Sequence, residues 1–231
     1  MTVQPRRALG AFVALARNPD DTAQVFTLIE ALSGVRTPAW IARRLRASVD
    51  GARLLDERPD IVAELADRAA LRRLPAGSLG RAYLGFVEGE GISADGLRAA
   101  STNGERHAAG APDVEFVRRR MRDVHDLWHA VLGYRGDLAG EAALLAFTFA
   151  QTCNPAIGVL VLLGLAKLDT RQARALIAGG LVRGWRAAWL PAEPWEELLP
   201  LPLDEVRRRL RVGAPPRYTP IRTSDLEASR Q

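Results

Sequence analysis

Two of the chain's three histidines, His125 and His129, stand four residues apart, with Asp126 beside the first and, after eleven further residues, Glu141. On a helix, residues four apart are stacked neighbours with Cβ atoms roughly 5–6 Å from each other. Both imidazoles can therefore face one shared point. A continuous helix would carry Glu141 about 18 Å past His129 at ~1.5 Å per residue, out of reach. Gly133, Tyr134, Arg135, Gly136 and Asp137 read instead as a helix stop and a short turn, because glycine accepts the left-handed conformations that end helices. A new apolar-periodic stretch opens near Leu138, which puts Glu141 in the first turn of an antiparallel neighbour and returns it to the histidines. Two imidazoles with one or two carboxylates suit a divalent cation such as zinc, iron or manganese. With three or four protein ligands such a site can keep a position open for water or substrate. The competing reading is a pair of helical histidines hydrogen-bonded to nearby acids. Asp126, the turn and the placing of Glu141 favour the metal.

The elements that must position these residues read as helix after helix. Asp20 and Asp21 cap a helix striped by Val25, Leu28, Ile29 and Leu32 and stopped at Gly34. Thr37-Pro38 reads as an N-cap with proline at the first helical position, and another helix runs from about Pro59 to Leu74. Ser78 caps a helix with Leu79, Ala82, Tyr83, Phe86 and Val87 on one face, closed by Gly89 and Gly91. Asp113 caps the helix carrying the histidines, whose stripe Val117, Met121, Val124, Trp128 and Leu132 faces a core. Strand-like alternation is almost absent, so the expected fold is all-α: a single-domain multi-helix bundle over residues 1–216, with a poorly ordered tail over 217–231.

The stretch Ala142–Ala166 holds 25 residues without a charge, enough in principle for a membrane span of about 20. Gln151, Thr152, Asn154 and Pro155 cut it into two pieces too short to cross, so two buried helices joined at Asn154-Pro155 are expected. They form either plain core or an apolar groove lined by Phe147, Phe149, Val159, Val161, Leu162 and Leu165, suited to a long hydrocarbon tail. The following helix interleaves Trp185 and Trp189 with arginines, as in helices resting on a membrane interface and also in ordinary solvated ones. The third histidine, His107, falls in a Ser/Thr/Asn/Gly/Pro-rich loop and reads as a surface residue.

At 231 residues and 48% hydrophobic content the chain can bury a sizeable core. Its single cysteine, Cys153, excludes an intramolecular disulfide. The net charge of +5 comes from arginines dispersed over several helices, without a recognised nucleic-acid motif, so a nucleic-acid partner is not expected. The segment Met1–Arg17 is basic and acid-free, as transit peptides are. Its amphipathic Leu9, Phe12, Val13 and Ala16 run straight into the next helix, so it reads as part of the fold. The expected location is a bacterial cytoplasm, peripheral to the inner membrane.

His125-Asp126-x-x-His129, eleven residues and Glu141 resemble the signature of the coenzyme Q biosynthesis protein family called protein four of that pathway. The resemblance extends to the block Leu74-Pro75-Ala76-Gly77-Ser78-Leu79-Gly80-Arg81-Ala82-Tyr83 with Phe86, to Arg17-Asn18-Pro19-Asp20, and to the Arg-rich run Arg118–Asp123. Phe116 stands where the family has tyrosine. The resemblance implies a role in ubiquinone biosynthesis: metal-dependent oxidative decarboxylation at the ring carbon of a polyprenylated hydroxybenzoate, beside other enzymes of the pathway and a membrane surface. His125, Asp126, His129 and Glu141 would be both catalytic residues and metal ligands, zinc first, and Arg81, Arg118, Arg120 or Arg122 would neutralise the substrate carboxylate. A non-catalytic lipid-binding scaffold with a structural metal is the alternative, and a metal-dependent hydrolase a weaker one, since zinc peptidases use Glu where this chain has Asp126. A homo-oligomer is compatible with either.

Overall fold

The computed structural model describes residues 4–17, 21–91 and 111–221; Asp20 and the His107 loop lie outside them. The fold is all-α. Among the described residues the helices are α1 (Pro5–Arg17), α2 (Thr22–Ser33), α3 (Arg36–Arg46), α4 (Val49–Glu57), α5 (Ile61–Ala66), α6 (Arg68–Arg73), α7 (Leu79–Glu90), α8 (Pro112–Asp123), α9 (His125–Leu132), α10 (Leu138–Thr152), α11 (Pro155–Lys167), α12 (Arg171–Arg186), α13 (Trp195–Leu198) and α14 (Leu203–Arg209), with a 3-10 turn at Leu190–Ala192. Extended pairing among them is limited to an isolated bridge, Ser78 to Pro202.

Local signals explain most boundaries. The carboxylate of Asp21 accepts from the Gln24 N–H at the start of α2, and the Ser78 hydroxyl accepts from Arg81 N–H at the start of α7. Asn154 caps α11 with Pro155 behind it. Three expectations need correction. The third helix begins at Arg36, so Thr37 and Pro38 lie inside its first turn, where proline is tolerated. The stretch 59–74 divides, because Asp67 accepts from Ala70 N–H and so starts α6 afresh. Asp113 does not cap α8: its carboxylate is turned to Arg46 and Arg58, at 2.9 Å from each.

The chain packs as two compact units interleaved in sequence, Met1–Thr37 with Tyr134–Arg186 and Pro215–Gln231, and Pro38–Gly133 with Ala187–Ala214. In the first unit α1 packs on α2, α2 on α11, and α10 on both α11 and α12. Ala8, Ala11 and Leu15 of α1 meet Leu28 and Ala31 of α2 and Leu160 of α11, with Val159 and Leu163 against them. The six residues expected to line a groove are thereby separated. Phe147 is fully buried and Val159 joins the core, whereas Leu162 is 66% exposed. No helix among the described residues is long and apolar enough to cross a membrane.

In the second unit Ile41, Ala42, Leu45, Leu54, Leu55, Phe116 and Val117 form one apolar cluster. A clasp holds the block around Gly77–Gly80 to the segment 199–203: Leu79 N–H donates to Leu201 O (2.9 Å), Gly80 N–H to Leu199 O (2.8 Å) and Leu203 N–H to Gly77 O (2.9 Å). The guanidinium of Arg120, only 5% exposed, makes a bidentate pair with Glu196 at 2.7 and 2.8 Å and donates to Glu193 O at 3.2 Å. Removing one partner of such a pair leaves a buried charge.

The closest helix contact in the first unit is α10 on α12. A Cβ at Gly184 would stand 2.6 Å from Phe147 O, and one at Gly180 would collide with Ala143 O. Overpacking of this kind costs about 1–3 kcal/mol, so Gly180→Leu is expected to lower the urea midpoint by at least that equivalent. A midpoint equal to the parent's would contradict this packing.

Candidate metal centre

The histidines ride on a helix of only eight residues, fixed at both ends. Val124, at φ −89° and ψ 0°, breaks α8 from α9, so the single motif helix expected from the sequence is two. At the other end Gly133 takes φ +76°, a left-handed value that a Cβ would strain, and its N–H donates to His129 O at 2.8 Å. Arg207 of α14 donates from Nε to Val131 O at 2.9 Å. A guanidinium there both satisfies a terminal carbonyl and complements the negative end of the helix.

The side chains are held as firmly. His129 is 1% exposed and lies flat against Phe86 of α7, ring centroids 5.0 Å apart and planes 11° from parallel. His125 is half-buried, its ring 4.9 Å from that of His129. The buried carboxylate of Asp126 meets His125 Nδ1 at 3.0 Å. A carboxylate on one ring nitrogen fixes the tautomer, leaving Nε2 as the lone-pair donor.

Glu141 belongs to the first turn of α10, as the spacing predicts. Asp137 caps that helix, its carboxylate accepting from the Ala139 and Gly140 N–H groups at 3.1 and 3.4 Å, and Glu141 N–H donates to Asp137 O at 2.8 Å. One potential ligand atom from each of His125, His129 and Glu141 lies within 4.8 Å of the others. Asp126 is outside this set, its carboxylate being bonded to the His125 ring. Two imidazole nitrogens and one carboxylate oxygen are the donor set of catalytic zinc centres, which keep a fourth position for water or substrate.

The four arginines singled out for a substrate carboxylate are all engaged. Arg120 holds Glu196, Arg118 bonds Glu115 at 2.7 Å, Arg122 bonds Asp123 at 2.8 Å, and Arg81 donates to Arg72 O at 2.8 Å. Phe86 and Arg207 escaped functional reading from the sequence. Phe86 sat in the recognised block without a task, and no local signal connects Arg207 to a helix more than seventy residues earlier.

The sequence model of the family "Coenzyme Q (ubiquinone) biosynthesis protein Coq4" matches residues 6–216. The chain belongs to the Coq4 family. It is 31% identical over 222 residues to the mitochondrial ubiquinone biosynthesis protein coq4 of Aspergillus clavatus, covering 93% of this chain and 75% of that one. To the COQ4 homolog of Danio rerio it is 32% identical over 213 residues, covering 90% and 76%. A crystal structure of a protein from Nostoc punctiforme shares the fold, with a TM-score of 0.62 at 24% identity, 92% of this chain and all of that one. One expectation falls here. These Coq4 relatives from fungi and fish are named as mitochondrial proteins, which overturns the bacterial cytoplasmic location inferred from the N-terminal stretch.

The pairing of Asp126 with His125 Nδ1 makes a specific prediction. Carboxylates behind metal-binding histidines are worth roughly 10–100-fold in affinity, so Asp126→Asn should weaken zinc binding by that factor, read by competition with a chromophoric chelator. Unchanged affinity would contradict the orienting role.

Proposed function

We propose that this Coq4 family chain acts in coenzyme Q biosynthesis as a metal-dependent decarboxylase of a polyprenylated hydroxybenzoate. The observation that carries the reading is the gathering of His125, His129 and Glu141. These three would hold the ion, zinc first and iron or manganese next, with Asp126 orienting His125. When bound, the ion supplies a Lewis acid and a template for the substrate's carboxylate or phenolic oxygen.

In the net change the bond from ring carbon to carboxyl carbon breaks and carbon dioxide leaves. The ring carbon gains a hydroxyl from water, and dioxygen accepts the electron pair as hydrogen peroxide. The buried Leu127, Trp128 and Val131 of α9 keep bulk water from the helix that carries the histidines, so charge interactions there are weakly screened. The half-buried Val161 and Leu165 and the exposed Leu162 of α11 offer apolar surface to a prenyl tail. Other enzymes of the ubiquinone pathway would supply and consume the ring.

Elemental analysis of the purified protein should find stoichiometric metal, lost in His129→Ala and in Glu141→Ala, and an aerobic assay with a prenylated hydroxybenzoate should release carbon dioxide only with metal loaded. A protein that stays metal-free after incubation with zinc, iron or manganese ends this reading. Metal with co-purified prenyl lipid but no turnover moves it to a lipid-presenting scaffold with a structural ion. Because ligand nitrogens must be deprotonated, metal occupancy is expected to fall as the pH is lowered.

A further inference from the structure

The stretch beyond Pro216 lies outside the match to the family and reads from sequence as tail, yet residues 217–221 are tied to the turn that starts α10. Tyr218 Oη donates to Asp137 Oδ2 at 2.8 Å and accepts from Arg135 N–H at 2.8 Å. Ile221 N–H donates to Asp137 Oδ1 at 2.9 Å, and Leu138 N–H donates to Ile221 O at 3.0 Å. Gln172 of α12 anchors the same strap by donating to Thr219 O at 2.9 Å. Asp137 therefore caps α10 with one carboxylate oxygen while both its oxygens are fixed from the strap.

The fit leaves little slack. A Cβ on Gly140, the residue before Glu141, would stand 2.6 Å from Tyr218 Oη and would collide with Arg135 O. Burial, supported by the bond to Asp137, pushes the Tyr218 phenol well above its ordinary range. Its hydroxyl is thereby kept as a hydrogen-bond donor to the Asp137 carboxylate.

We propose that Tyr218 and Ile221 are positioning residues for Glu141. By fixing the Asp137 carboxylate they set the start and the rotation of α10, and with it the point at which its first-turn carboxylate meets the histidines. The strap thus decides the strength and geometry of metal coordination without touching the ion. The inference rests on the metal reading above.

The test uses the full chain and Co2+, whose visible absorption reports coordination geometry. Tyr218→Phe removes the hydroxyl shared by Asp137 and Arg135, and Ile221→Pro removes the N–H that the strap gives to Asp137. Each is expected to weaken Co2+ binding about tenfold or more and to change the visible band, while far-ultraviolet circular dichroism stays that of the parent. Gln172→Ala, which loosens only the outer anchor, should move both readouts less. A parent that binds Co2+ and two variants that bind it with the same affinity and spectrum overturn the positioning role alone. A parent that binds no Co2+ overturns the metal reading and this inference with it.

Discussion

A helix of eight residues is too short to be stable by itself, since isolated helices below about 12–15 residues are marginal in water. Yet in the proposed metal centre α9 would have to hold two imidazoles within a fraction of an ångström of a shared point. Its order is borrowed. The break at Val124 separates it from α8, Gly133 ends it, Arg207 closes its last turn, and Phe86 holds one ring in plane. Residues 125–132 carry the two imidazoles, and α7 and α14 supply the rigidity that so short a helix lacks.

The same division of labour explains the buried pair Arg120–Glu196. Burying two charges costs several kcal/mol per ion before their attraction repays it, so the pair is a poor source of stability. It is a specific one, however, because only one register of α8 against the segment 193–196 satisfies both oxygens and the Glu193 carbonyl. The helix leading into the histidines is thereby fixed in phase.

The helical class, the stop at Gly133, the restart near Leu138 and the return of Glu141 were legible in the sequence, because capping and apolar period are local signals. What escaped is what depends on distant partners. Asp113 looks like a cap, but Arg46 and Arg58 outbid the helix N-terminus for its carboxylate. A continuous stripe from Val117 to Leu132 hides the interruption at Val124. Tyr218 sits in a Pro- and Arg-rich stretch with no periodicity, and its bonds to Asp137 span more than eighty residues. The apolar run 142–166 gave the helices correctly, but charge-free composition does not tell Phe147, in the core, from Leu162, at the surface.

The interleaving of the two units bears on how the protein is made. The unit that holds Glu141 takes its residues from three separated stretches of the chain, the last of them beginning at Pro215. During synthesis α10 emerges well before Tyr218, so for that interval its first turn lacks the contacts that fix Asp137. Closing such long-range contacts is the slow, entropically costly part of folding, and domains otherwise form as units in the order they are synthesised. The first turn of α10, and Glu141 with it, therefore gains its full set of contacts only after residues 218–221 have been made.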